Sequence, residues 1–244
     1  NNVVGSLRLI EACEQCGVSR FVFSSSAAVY GLPETTKVSE DTRLAPINPY
    51  GNSKLITELT LNDVSFASQG RELPLNFVAL RYFNAAGAQV AGQLGQATPE
   101  ATHLIKVACE AATGVREGMQ IFGTDYATAD GSCVRDYIHV DDLASAHLKA
   151  LDYLADGGDS FRLNCGYGHG FSVKEVVDMV RKVSGVNFSA IESERRPGDP
   201  PSLVADNSRI KNLLNWTPKY ADLELICRTA FQWEQSWQKR QKTS

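Results

Sequence analysis

Apolar residues recur along this chain in two alternating rhythms. Val3, Val4, Leu7, Leu9 and Ile10 follow the three-to-four spacing of a helix over 3–16, and the run Arg20-Phe21-Val22-Phe23 predicts a strand over 20–25. The alternation then repeats. Leu55, Ile56, Leu59 and Phe66 mark a helix from Tyr50 to about Ala67, and a second strand runs over 76–83. Pro99 to Thr113 is expected to be helical and to stop at Gly114, a natural C-cap. Met119 to Phe122 reads as a short strand. Val140 to Leu154 reads as a helix opened by Asp141 and Asp142, whose charges suit its positive end. Phe161 to Asn164 is a further strand, Ser172 with Glu175 three residues on forms a capping-box pattern, and Asn187 to Ile191 is a short strand. An amphipathic helix begins at Leu223. Strands alternating with helices predict an α/β fold built on a parallel, doubly wound sheet.

The polar punctuation of these elements carries the candidate chemistry. In Pro49-Tyr50-Gly51-Asn52-Ser53-Lys54, Tyr50 and Lys54 stand four apart and share a helix face. A free phenol ionises near pH 10, and a neighbouring ammonium favours the phenolate. Such a base can take a proton from an alcohol while a hydride leaves the same carbon. The pair alone is weak, because that spacing arises readily by chance. Its company strengthens it. The strand at 20–25 runs into Ser24-Ser25-Ser26-Ala27-Ala28-Val29-Tyr30-Gly31, which sets hydroxyls at the carboxyl-end crevice where open α/β sheets bind ligands. The strand at 76–83 likewise ends in Arg81-Tyr82-Phe83-Asn84.

Composition narrows the field. The 244 residues are 43% hydrophobic, ample for one large domain or two small ones. A net charge of −4 argues against broad attraction to nucleic acid or an anionic membrane, so an anionic ligand needs local arginines. No run of 18 apolar residues spans a bilayer, and no signal peptide is visible at the start. Cys13 and Cys16 form a CxxC without the second close pair that zinc wants, and they sit toward the end of a helix, unlike a thioredoxin-type pair. No metal site is expected; the six cysteines read as reduced, mostly buried thiols of a cytoplasmic protein.

Longer motifs go further. SSSAAVYG from Ser24, PYGNSK from Pro49, LRYFNAAGA from Leu80, IFGTDYATADGSCVRDYIHVDDLASAH from Ile121 and RRPGDP from Arg195 resemble the UDP-glucose 4-epimerase family of extended short-chain dehydrogenases/reductases. The resemblance runs from Asn1 to about Trp237, and the block from Thr124 is its most specific part. It implies a Rossmann-type sheet with a smaller α/β substrate-binding domain. The first is expected to comprise 1–84 plus about 134–166, and the second about 85–133 plus 167–244. The family's Gly-rich GxxGxxG turn, which receives the cofactor pyrophosphate, is not in this sequence. The resemblance implies that a first half of the nucleotide-binding domain, on the order of 100 residues, is lacking here, as in a fragment or a degenerate gene product. The parent protein is therefore expected to be an active epimerase and the isolated chain inactive.

The resemblance also implies roles. Tyr50 becomes the catalytic base, Lys54 its electrostatic partner and a ligand of the ribose of NAD, and Ser26 the hydroxyl that bonds the sugar alcohol at carbon 4. Ser24, Tyr82, Phe83 and Asn1 fall on the cofactor side. Asn84 matches a UDP-sugar ligand, Phe122 the aromatic that packs on uracil, and Arg135 and Arg196 the diphosphate clamps, with Arg195 one register away. Asp199 matches a nucleoside ligand. His103 and Leu104 stand where the family contacts the phosphates, although many members carry Asn at the position of His103. Leu203 lies where residue size decides whether N-acetylated sugars enter, and leucine is intermediate. His139 and His147 read as structural. The implied reaction interconverts UDP-galactose and UDP-glucose with NAD, in a protein that is a homodimer at full length. The rivals are a sugar-nucleotide dehydratase or decarboxylase, which would need a carboxylate where Ala27 and Ala28 stand, and a remnant that binds UDP-sugar without catalysis.

Overall fold

The two rhythms resolve, in a computed structural model that describes residues 2–243, into helices and strands close to those the pattern predicts. In chain order these are α1 (Asn2–Gln15), β1 (Arg20–Ser26), a 3₁₀ turn (Ala27–Tyr30), β2 (Lys37–Val38), α2 (Pro49–Ser68), β3 (Asn76–Tyr82), β4 (Asn84–Ala86), α3 (Leu104–Ala112), β5 (Gly118–Phe122), β6 (Val134–Arg135), β7 (Tyr137–His139), α4 (Val140–Ala155), β8 (Phe161–Cys165), β9 (Phe171–Ser172), α5 (Val173–Ser184), β10 (Ser189–Ser193), β11 (Ser202–Ala205), α6 (Ser208–Leu214) and α7 (Leu223–Thr243). They divide into two units, each built from three stretches of chain.

The first unit comprises Asn1–Phe83, Ala144–Gly166 and Ala205–Thr217. Its sheet has the order β1-β3-β8, all parallel. Phe77, Val78, Ala79 and Leu80 of β3 are buried in succession, the continuous apolar run of a strand covered on both faces. The register aligns Ser26 with Tyr82 and Tyr82 with Cys165, so the polar strand ends meet at one edge. Ile10 of α1, Phe23 of β1 and Leu61 of α2 pack with Leu75, Phe77 and Ala79 in one core cluster.

Asn48 caps α2 by accepting from the Gly51 amide at 2.8 Å, and Pro49 opens the helix. A Cβ on Gly51 would meet the Ala28 carbonyl oxygen at 2.5 Å, so the helix start lies hard against the 3₁₀ turn that follows Ser26. The face that α2 buries differs from the one its apolar residues suggest. Gly51, Ser53, Thr57, Glu58, Leu61, Ser65 and Ser68 are buried, while Ile56, Leu59 and Phe66 are exposed. The inward face answers to polar partners on β1 and β3 and therefore carries small and polar residues.

The second unit comprises Asn84–Leu143, Tyr167–Val204 and Pro218–Ser244. Here β6 pairs parallel with β11 and antiparallel with β9, β4 with β7, and β5 with β10. The helices α3, α5 and α7 pack on one another. The capping box at Ser172 and Glu175 is present in full, and Gly185 closes α5 in the left-handed region. Lys106 of α3 is buried between Glu110 and Glu234 of α7, and Trp233 of α7 donates to the Gln96 carbonyl at 3.0 Å.

Three boundaries differ from expectation. The helix expected over 99–113 starts only at Leu104, because Glu100 has φ 51° and His103 is extended, which no helical turn tolerates. Residues 134–143 fall in the second unit, where β6 and β7 find their partners, and 205–217 fall in the first, where Asn207 donates to the Gly166 carbonyl and Arg209 pairs with Asp41. Cys109, Cys133, Cys165 and Cys227 are buried; Cys13 is half-buried and Cys16 exposed.

Candidate functional site

Within the first unit, β1 sets the geometry. Ser26 ends the strand in extended conformation and its Oγ accepts from the Ala28 amide at 3.2 Å, which turns the chain into the 3₁₀ turn. Lys54 reaches back from α2 and donates from Nζ to the Ser24 carbonyl at 2.9 Å. Its ammonium then lies 5.0 Å from the centre of the Phe23 ring and 5.6 Å from that of Tyr50. Burial pulls the Lys54 pKa below its ordinary value. Tyr50 is 46% exposed, at the open side of this cluster. Tyr82 comes from the end of β3. Burial raises its pKa, the nearby Tyr50 adds to that, and a hydrogen bond with Ser24 opposes both. Phe83, next in the chain, is buried. Asn2 donates to Ser53 of α2 at 3.1 Å, whereas Asn1 lies outside the described residues.

Three features of this unit escaped the sequence. His147 of α4 shares a 2.8 Å hydrogen bond between Nε2 and Ser24 Oγ, and its ring lies 6.4 Å from that of Tyr82. It belongs to the serine cluster and does more than fill a helix face. Beneath the cluster, Arg81 and Glu58 form a fully buried pair, with Nη2 to Oε2 at 2.6 Å and Nε to Oε1 at 3.0 Å. Ser25, between Ser24 and Ser26, donates to the same Glu58. Arg81 also donates to the Tyr30 hydroxyl, and Tyr30 donates to Asn164 at 2.7 Å. Burial pushes the Tyr30 phenol up to about 12. For Arg81, burial works downward, yet the Glu58 carboxylate prevails and holds it above its usual value. The network ties the helix of Tyr50 and Lys54 to the strand of Ser24 and Ser26. The one sequence signal for it was a Glu four residues beyond Lys54, on the same helix face.

In the second unit, Arg135 sits in β6 opposite Leu203 of β11. Its Nη1 donates to the carbonyls of Val134 at 2.9 Å and Pro200 at 2.8 Å, and Nη2 lies 3.4 Å from Asp199 Oδ1. Arg196 Nε donates to the other oxygen of Asp199 at 3.2 Å, with its guanidinium 4.6 Å over the Phe122 ring. Phe122, Arg135, Arg196 and Asp199 thus stand together. Arg195 turns elsewhere: it pairs with Asp125 at 2.6 Å and lies 4.2 Å over Tyr126, which separates its role from that of Arg196. A groove of about 610 Å³ is lined by Arg195 together with Asp125, Glu192 and Glu194, with Asp125 paired to Arg195 and Glu192 to Lys174. Asn84 opens β4, its amide donating to the Asp136 carbonyl at 3.0 Å. His103 precedes α3 and receives the Gln96 amide at Nδ1, so its ring is held away from capping the helix, while Leu104 is its half-buried first residue.

Comparison with known proteins supplies a frame for these two clusters. The family model described as the NAD dependent epimerase/dehydratase family matches residues 1–166. A UDP-glucose 4-epimerase of Azospirillum brasilense is 55% identical over 236 residues, covering 97% of this chain and 66% of that protein. One from Rhizobium meliloti (strain 1021) is 48% identical, covering 96% of this chain and 69% of that protein. The chain therefore spans about two thirds of the length of these curated relatives. Among solved structures, a UDP-Glc/GlcNAc 4-epimerase from Campylobacter jejuni is 56% identical with a TM-score of 0.81, covering 97% of this chain and 70% of that one. A UDP-glucose-4-epimerase from Stenotrophomonas maltophila, with bound NAD and formylated UDP-arabinopyranose, is 37% identical with a TM-score of 0.93, covering 98% and 70%.

Proposed function

This chain belongs to the NAD dependent epimerase/dehydratase family and groups there with the UDP-glucose 4-epimerases, and from that footing we propose that it carries the sugar-handling chemistry of an NAD-dependent interconversion of UDP-galactose and UDP-glucose. The observation that carries the reading is the Lys54 ammonium, fixed on the Ser24 carbonyl with the Tyr50 ring 5.6 Å away. Tyr50 as phenolate takes the proton of the carbon-4 hydroxyl and later returns it. Lys54 offsets the charge on that oxygen, and Ser26 Oγ holds the same hydroxyl. An ammonium has three donors, of which the Ser24 carbonyl takes one, so Lys54 fits a ribose diol of NAD, with Ser24, Tyr82 and Phe83 beside it. NAD, when bound, accepts a hydride from carbon 4 and gives it back.

In the second unit, Arg135 and Arg196 suit a diphosphate, since a guanidinium fork matches its oxygens. Phe122 offers a ring face for uracil, and Asn84, His103 and Leu104 complete the nucleotide and sugar contacts. Strong anchors on the nucleotide with few on the hexose let the keto sugar turn over between the two hydride transfers. Ala27 and Ala28 supply no carboxylate to eliminate water or assist decarboxylation, which sets the dehydratase and decarboxylase rivals aside.

The exposed Ile56, Leu59 and Phe66 of α2, with Val4 and Leu7 of α1, favour a homodimer built on helices of the first unit. Six cysteines with no disulfide among the described residues favour the cytoplasm. No described helix is long and apolar enough to cross a membrane. The test is turnover with NAD⁺ and UDP-galactose. The parent protein should form UDP-glucose, and Tyr50→Phe in it should lower kcat by about a hundredfold or more. Turnover that survives this substitution would remove Tyr50 from the role of base. A protein that binds UDP and turns nothing over would instead be a UDP-sugar-binding remnant.

A further inference from the structure

Arg196, Pro197, Gly198 and Asp199 form one tight turn. Pro197 stands at its second position, Gly198 at its third with φ 86°, and the Asp199 amide donates to the Arg196 carbonyl at 3.4 Å, the signature of a type II turn. The side chains at its two ends meet: Arg196 Nε lies 3.2 Å from Asp199 Oδ2. The other oxygen of Asp199 faces Arg135 Nη2 at 3.4 Å. Arg135 is already pinned by the carbonyls of Val134 and Pro200, so one carboxylate links a fixed guanidinium to a movable one whose side chain is 54% exposed.

We propose that Asp199 is a built-in counter-anion of the nucleotide site: its carboxylate occupies the Arg135 and Arg196 donors until a diphosphate displaces it. The proposal rests on the reading of these arginines as diphosphate ligands and deepens it. It assigns Asp199 a positioning role that a nucleoside contact would not need. The carboxylate holds two like charges together in the free protein, which would otherwise repel. It also lowers the charge of the cluster from two positive to one, so nucleotide affinity is held below what the arginines alone would give. Binding becomes an exchange of one anion for another, and Arg196 is the arm that moves.

Titration calorimetry with UDP, inorganic pyrophosphate and uridine, on the protein and on Asp199→Asn, decides the matter. The substitution keeps the shape of the turn and removes the charge. UDP and pyrophosphate should both bind at least about fourfold more tightly, the Coulomb effect of a charge about 5 Å away even when screened as in bulk water, while uridine is unchanged. Asp199→Ala, which removes the carboxylate outright, should shift both anions in the same direction. Parallel weakening of UDP and uridine would overturn the proposal and make Asp199 a nucleoside contact; no change in any ligand would overturn it too. A protein that binds pyrophosphate as well as it binds UDP fails as a nucleotide site, yet the direction of the pyrophosphate shift still decides the exchange. If neither anion binds either form, the nucleotide reading and the proposal fall together.

Discussion

Lys54 works as a fixed charge, and the way it is held sets a pH dependence. Burial lowers its pKa from the ordinary 10.5, so the ammonium is lost earlier than in a free lysine as pH rises. The unfolded chain binds the extra proton between the lowered value and 10.5, so the contribution of Lys54 to stability improves as pH rises through that window. On the proposed role of Lys54, activity moves the opposite way, because the ammonium is the form that supports a phenolate. The alkaline limb of kcat should fall below pH 10.5 and move upward in Lys54→Arg, as a pH–rate profile would record. His139 is the acid-side counterpart. Burial lowers its pKa below the ordinary 6.5, so on acidification the unfolded chain gains a proton that the folded one refuses. Stability should fall as pH drops below 6.5, and His139→Gln should flatten that slope in denaturant titrations. At this scale the sequence exposed Tyr50, Lys54 and Ser26 because their motifs are contiguous. It concealed His147 and Arg81, whose partners lie 123 and 23 residues away, and a lone polar residue inside a helix or strand has no local signature of such a partner.

The element that matters most is α2, and its two ends are fixed differently. At the start, Gly51 leaves no space: a Cβ there meets Ala28 oxygen at 2.5 Å and Pro46 Cβ at 2.9 Å. Gly51→Ala should push the helix off the 3₁₀ turn, costing about 1–3 kcal/mol of stability and reducing kcat more than it raises the Kd for UDP. Two turns on, Glu58→Ala leaves the Arg81 guanidinium in the core without its carboxylate, held only by neutral partners such as the Tyr30 hydroxyl and the Glu40 carbonyl. Urea unfolding should register a loss of about 3–5 kcal/mol. Period and punctuation made α1, β1, α2 and β3 legible. Which face α2 buries was not, since apolar spacing points to Ile56, Leu59 and Phe66 while the structure buries the polar stripe through Glu58. The two-residue strands β6 and β9 were invisible for a related reason: they are defined by pairing with strands far along the chain, β6 with β9 and β11, and a strand that short has no rhythm.

At the scale of the whole molecule, the chain passes between its two units five times, at 83–84, 143–144, 166–167, 204–205 and 217–218. Alternating βα rhythm foretells the parallel sheet of the first unit, but composition does not change where the chain crosses, so the boundaries were read only approximately. The residues 205–217 look like a continuation of the second unit until Asn207 is seen bonded to Gly166. Interleaving also bears on how such a molecule is made. Ribosomal synthesis delivers α3 long before α7, and until α7 arrives Lys106 lacks Glu234 and the loop around Gln96 lacks Trp233. A nascent chain halted before Leu223 would hold β1 and α2 complete while Lys106 keeps Glu110 as its carboxylate partner and lacks Glu234, an unfinished surface of the kind chaperones and proteases sort.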